Sequence, residues 1–107
     1  MTAIYLFFLT TSFAQPEVNC PIHEGRYILG FEASYLVPSR GVLKGQKIWI
    51  ENSNKLAKYF AASRNKETVW KRANVSLKGC VKAGRFGALG AYKFSIRSFD
   101  VIDFNAK

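Results

Sequence analysis

The residues of this chain best suited to engage a partner are the cations that alternate along its last third. Lys78 and Lys82 stand two positions on either side of Cys80. Lys93 and Arg97 alternate with apolar residues further on. Alternation of this kind is typical of β-strands, and the two runs flank a glycine-rich loop. We therefore predict a hairpin whose outer face gathers these four cations around Cys80, where they would bind an anionic ligand.

The loop between the two runs, GRFGALG over residues 84–90, adds Arg85 and Phe86 to the candidate contacts, with Tyr92 just beyond it. It lacks the Gly-Lys-Ser/Thr ending of a phosphate-binding loop, and a strand rather than a helix is expected after it. Its glycines are instead those of a hairpin loop with positive φ angles. The predicted binding set is Lys78, Lys82, Lys93, Arg97, Arg85, Phe86 and Tyr92.

The composition argues against catalysis and against a metal site. His23 is the only histidine, and the seven carboxylates are scattered along the chain. A lone histidine without Cys, Asp or Glu at ligand spacing is far more often a surface residue than a ligand or a base. The sequence predicts no enzymatic activity, no metal and no cofactor.

The charge balance points to an anionic partner. Sixteen Lys and Arg against seven Asp and Glu give the chain a formal charge of +9. A charge of this size attracts nucleic acid, anionic polysaccharide, phospholipid headgroups or an acidic protein surface, and does not choose among them.

The first fourteen residues, MTAIYLFFLTTSFA, have the pattern of a secretory signal peptide cleaved before Gln15. The apolar run is shorter than the roughly 20 residues that span a bilayer. No Lys or Arg precedes it, and a buried N-terminal strand is the alternative interpretation.

Residues 15–107 are then expected to form one monomeric domain without a transmembrane segment, secreted or periplasmic. In that location an envelope polymer or acidic protein is a more natural ligand than nucleic acid.

The two cysteines, Cys20 and Cys80, are predicted to form a disulfide. An exported protein meets an oxidising compartment, and two cysteines allow a single intramolecular pairing. The alternative is two free buried thiols in a cytosolic protein.

The remaining periodicity outlines the other elements. Residues 25–37 alternate as one long strand bent at Gly30, and residues 42–52 as a second strand. Residues 53–65 place Leu56, Tyr59 and Phe60 at the spacing of an amphipathic helix. The alternation slips phase after Arg97, which predicts a β-bulge near Ser98. These four strands would need a short fifth one, near Asn52 or Thr68, to close a barrel.

Residues 75–104, VSLKGCVKAGRFGALGAYKFSIRSFDVIDF, resemble the closing part of small exported bacterial proteins with OB-like barrels. The shared pattern is V-x-L-x-G-x-V, then GRYGxLGAY, then I-x-V, and GRFGALGAY is its distinctive part. The resemblance implies a mainly β, five-stranded OB-like barrel with one helix between the third and fourth strands. It implies neither an enzymatic activity nor a particular ligand. The alternative architecture is an α+β fold, an antiparallel sheet packed on one helix.

Two functions remain open. The first is an exported, non-enzymatic binding module that holds an anionic ligand, an envelope polymer or an acidic protein surface, on its basic sheet face. The second is a secreted inhibitor or immunity-type protein that blocks a partner protein.

Overall fold

The structure is a computed structural model that describes residues 20–62 and 70–106. It contains five strands and one α-helix within these residues, in the order β1 (Ile22–Gly30), β2 (Ala33–Pro38), β3 (Ile48–Ile50), α1 (Ser53–Ala62), β4 (Lys71–Phe86) and β5 (Tyr92–Ala106). The predicted signal peptide, residues 1–14, lies outside the described part of the chain.

The strands close into a barrel in the order β1-β2-β3-β5-β4. Neighbouring strands are antiparallel except for β3 and β5, which run parallel. The helix follows the third strand and precedes the fourth. This is the arrangement of a small OB-like barrel, so the predicted mainly β fold is confirmed and the alternative, a sheet packed on one helix, is wrong.

The long strand predicted over residues 25–37 is two strands. Gly30 pairs with Ala33, and Phe31 and Glu32 form the two-residue turn between β1 and β2. The turn divides the segment into β1 and β2, which raises the number of strands from four to five. No hidden strand near Asn52 is therefore needed to close the barrel. The turn also changes the faces, because chain reversal sets Tyr27 opposite Leu36. Leu36 is therefore buried in the barrel, whereas a single strand alternating from Tyr27 to Val37 would put Leu36 on the opposite face.

The second predicted strand is much shorter than residues 42–52. Only Ile48–Ile50 is a strand, because the preceding segment turns back on itself. Its hydrogen bonds run from the amide of Lys44 to the carbonyl of Gly41 and from the amide of Gln46 to the carbonyl of Leu43. The short β3 still alternates as expected, with both isoleucines buried and the tryptophan between them on the outer face.

The longest pairing joins β4 to β5, and bulges bend it around the barrel. Between the pairs Gly79–Phe99 and Val81–Ile96, β5 has two residues where β4 has one. The extra residue falls at Arg97 and Ser98, so the bulge predicted near Ser98 is confirmed.

Helix α1 helps to fill the barrel interior. Leu56 and Phe60, one turn apart, are its buried residues. The Phe60 ring lies 6.2 Å from that of Tyr27 and 4.9 Å, edge on, from that of Phe104. The predicted amphipathic helix is thus confirmed over Ser53–Ala62, and no helix in the described residues is both long and apolar enough to cross a membrane. The core consists of Tyr27, Leu36, Ile48, Ile50, Leu56, Phe60, Ala73, Val75, Leu77, Ile96 and Phe99.

Candidate anion-binding face

The segment that enters β1 is tied to β4 by the predicted disulfide. Cys20 and Cys80 are bonded, with their Cα atoms 4.8 Å apart. The amide of Gly79 donates to the carbonyl of Pro21 at 3.1 Å, which continues the β1–β4 pairing by one step. His23 adds a second tie, donating from Nε2 to the carbonyl oxygen of Gly79 at 3.0 Å. The histidine is half-buried and holds two strands together.

A cleft of about 440 Å³ opens beside this disulfide. It lies where the bulge at Arg97 and Ser98 faces Cys80 across the β4–β5 pairing. Three of the four cations predicted to share a face meet here, and we call this region the disulfide cleft. It is lined by Cys20, Lys78, Gly79, Cys80, Lys82, Arg97, Ser98, Phe99 and Asp100.

Carboxylates offset part of the positive charge in the disulfide cleft. Asp100 stands directly opposite Lys78 in the register of the two strands. The Nε atom of Arg97 lies 3.4 Å from Oε1 of Glu51. Oε2 of the same carboxylate accepts a hydrogen bond from the Ser95 hydroxyl at 2.9 Å. Two of the three cations therefore have an acidic neighbour, and Lys82 stands opposite the neutral Ser95.

The other predicted residues lie further along the hairpin, at its tip. Phe86 pairs with Tyr92, and Lys93 follows on β5, opposite a bulge at Gly84 and Arg85. The Arg85 side chain runs beside Gly90, at whose position a Cβ atom would lie 3.4 Å from its Nε. The predicted set thus divides into two adjoining parts. The first is the disulfide cleft, and the second is the hairpin tip, which consists of Arg85, Phe86, Tyr92 and Lys93.

An aromatic cluster on the outer face adjoins the hairpin tip, and Tyr92 is the one member of it that the predicted set contained. The ring of Tyr92 lies 5.1 Å from that of Trp49 and 5.8 Å from that of Tyr35. Nζ of Lys47 sits 5.0 Å from the centroid of the Tyr35 ring, a cation–π contact. Desolvation by this packing, with a contribution from nearby Tyr35, raises the pKa of Tyr92 above its usual value. Tyr35, Lys47 and Trp49 were not in the predicted set because β2, β3 and β5 become neighbours only in the folded chain.

Gly87 lets the hairpin loop close over this cluster. Its φ is 75°, and a Cβ atom there would lie 2.8 Å from Cε3 of Trp49. Both the backbone conformation and the close approach therefore require glycine. The loop continues through a short 3₁₀ turn, Ala88–Gly90, directly into β5. Since a strand follows it, the loop has the hairpin form that the glycines predicted and not the form of a phosphate-binding loop.

Within residues 20–62 and 70–106, no three His, Cys, Asp or Glu side chains group closely enough to hold a metal ion. Comparison of the chain with protein-family models, with curated proteins and with solved structures found no match. The OB-like barrel and the side chains on its outer face are therefore the features that bear on function.

Proposed function

We propose that the protein is an exported, non-enzymatic module that binds an anionic ligand, an envelope polymer or an acidic protein surface, along the outer face of the β4–β5 hairpin. The observation that carries the proposal is the row of cations along this hairpin, of which Lys82 lies in the disulfide cleft together with Lys78 and Arg97. The hairpin tip extends that face with two further cations, Arg85 and Lys93, both exposed.

The aromatic cluster supports the proposal from a second direction. OB-like barrels bind extended ligands with strands 2 and 3 and the loop between strands 4 and 5. In this chain those elements carry Tyr35, Trp49 and Tyr92, with Lys47 beside them. Partly exposed rings next to cations would contact the apolar faces of a polymer while the cations pair with its charges.

The disulfide supports the exported location. Disulfides persist in oxidising compartments and are rare in the cytosol, and here the bond joins the start of the barrel to its longest strand. An oxidising compartment is therefore the natural setting for the Cys20–Cys80 bond.

The test is charge reversal at the part of the face with the fewest acidic neighbours. We expect the triple variant Lys82→Glu, Arg85→Glu and Lys93→Glu to elute from a heparin matrix at a much lower salt concentration than the unaltered protein. Each lost ion contact reduces the salt dependence of binding to an anionic polymer. Lys78 and Arg97 are left unchanged because Asp100 and Glu51 already face them.

The matched control carries the same change in net charge elsewhere. Arg26, Lys44 and Lys58 are exposed cations outside the hairpin, and their reversal to Glu also removes six charge units. If the two triple variants elute at the same salt concentration, retention reflects net charge alone and the proposed face is wrong. The alternative function, inhibition of a partner protein, predicts instead a single protein held in a one-to-one complex.

A further inference from the structure

The tight turn between β1 and β2 contains residues that such turns rarely use. Phe31 and Glu32 form a two-residue loop between the paired Gly30 and Ala33. Loops of this length favour Asn, Asp and Gly, because one or both of their residues need a positive φ. Glu32 adopts a φ of 53°, an uncommon conformation for a residue with a long side chain. The chain therefore keeps these two residues against the local preference of the turn, a pattern that is associated with functional sites.

Two aromatic rings, one in this turn and one beside it, are exposed to solvent. Phe31 is 79% exposed and Trp70, which immediately precedes β4, is 43% exposed. The indole of Trp70 lies against the backbone of Gly30, where a Cβ atom would be 2.6 Å from Cζ3 and 2.9 Å from Cδ2. Glycine at this position thus allows the indole to rest beside the turn. We call Phe31 and Trp70 together the aromatic turn.

Positive charge flanks the aromatic turn. Lys71 and Arg72 follow Trp70 along β4 and pair with Leu29 and Ile28 of β1. Glu32 contributes the carboxylate of the turn itself. Exposed aromatic side chains next to Lys and Arg are typical of protein surfaces that rest on anionic lipid.

We propose that the aromatic turn contacts the interface of an anionic phospholipid bilayer. Phe31 projects from a turn, and a bilayer can deform around such a side chain without providing a pocket for it. Tryptophan and phenylalanine rings favour the boundary between headgroups and acyl chains, and Lys71 would lie at the level of the headgroup phosphates. Glu32 keeps its carboxylate among the headgroups and so limits the depth of insertion.

The aromatic turn has no residue in common with the anion-binding face. The aromatic turn adjoins the first residues of β4, whereas the disulfide cleft and the hairpin tip belong to the later part of β4 and to β5. One surface can therefore be altered while the other is left intact.

The experiment is co-sedimentation of the purified protein with vesicles of phosphatidylcholine containing one third phosphatidylglycerol. We expect binding to these vesicles and a partition coefficient about ten-fold lower for Phe31→Ser, because the apolar area of that ring is lost from the interface. Val42→Ser is the matched control, since Val42 is also fully exposed but lies in the loop between β2 and β3. Its partition coefficient should equal that of the unaltered protein.

A second measurement places Trp70 directly. In a Trp49→Phe background Trp70 is the only tryptophan, and acyl-brominated lipid should quench its fluorescence. The proposal would be overturned if the Phe31→Ser and Val42→Ser variants had equal partition coefficients. It would also be overturned if vesicle binding were abolished only by charge reversal at Lys82, Arg85 and Lys93. Absence of vesicle binding would also overturn it and would leave a pocket on a partner protein as the site for the aromatic turn.

Discussion

The hydroxyl groups of Tyr27 and Ser34 form a hydrogen-bond network inside this small barrel. The Tyr27 and Ser34 hydroxyls are 2.6 Å apart, and Ser34 donates to the carbonyl of Ile50 at 2.9 Å. Every polar atom of the network therefore has a partner, as burial requires. Burial raises the pKa of Tyr27 from 10.0 to about 12, although the hydrogen bond with Ser34 acts in the opposite direction.

This pKa shift predicts an alkaline loss of stability. Below pH 10 both folded and unfolded states keep the phenolic proton, so Tyr27 adds no pH dependence. Between pH 10 and 12 the unfolded chain ionises first, and the free energy of unfolding should fall by about 2 to 3 kcal/mol. The Tyr27→Phe variant should be about 1 kcal/mol less stable at pH 7, because a hydrogen bond is lost, but its stability should decline less steeply above pH 10 than that of the unaltered protein. The free energy of unfolding would be measured by urea denaturation across this pH range. An equal fall in both proteins would contradict the prediction.

At the scale of elements, the disulfide and the helix each make a contact with the middle of one of the two long strands. The β1–β4 ladder ends at Ile22 and Lys78, one further hydrogen bond joins Gly79 to Pro21, and the Cys20–Cys80 bond holds the chain just beyond that point. Lys55 of the helix donates to the carbonyl of Phe99 on the other long strand. A barrel this small has a limited core, so such ties matter more than they would in a larger domain.

Loss of the disulfide should therefore be costly. The bond closes a loop of 60 residues, for which the chain-entropy model gives about 4 kcal/mol. The double variant Cys20→Ser and Cys80→Ser should lower the free energy of urea unfolding by an amount close to this. Reduction of the unaltered protein serves as the control, because it opens the same loop without a substitution. An unchanged unfolding midpoint in both cases would show that the bond does not stabilise the barrel.

At the scale of the whole molecule, sixteen cations and seven anions share a chain of 107 residues. The basic face uses only some of these cations, and others, such as Arg40, are paired with carboxylates elsewhere. Under the proposed function, electrostatic attraction by the whole molecule would speed the encounter with an anionic partner, while the residues of the face would determine where it binds.

The proposed export of the molecule would leave a signature in its mass. We expect the protein recovered from the periplasm or medium to lack residues 1–14 and to begin at Gln15. Its intact mass should rise by about two hydrogens on reduction, because the single disulfide is opened. A protein that retains Met1 to Ala14 would contradict the signal-peptide prediction, and an unchanged mass on reduction would contradict the disulfide.

Periodicity and composition sufficed for the features that depend on neighbouring residues. The helix containing Leu56 and Phe60, the bulge near Ser98 and the Cys20–Cys80 pair were all predicted. Each of them is a local pattern or, for the cysteines, the only pairing available. The cations at Lys78, Lys82 and Arg97 also followed from alternation, because side chains two apart on a strand share a face.

The tertiary structure decided where the chain reverses and what the reversal brings together. A two-residue turn at Phe31 and Glu32 has none of the usual turn residues, so one strand was predicted where two exist. Pairing of β3 with β5 is parallel and distant along the chain, and it is what brings Trp49 to Tyr92. Alternation along a strand predicts which residues share a face, but only the closed barrel determines which strands become neighbours.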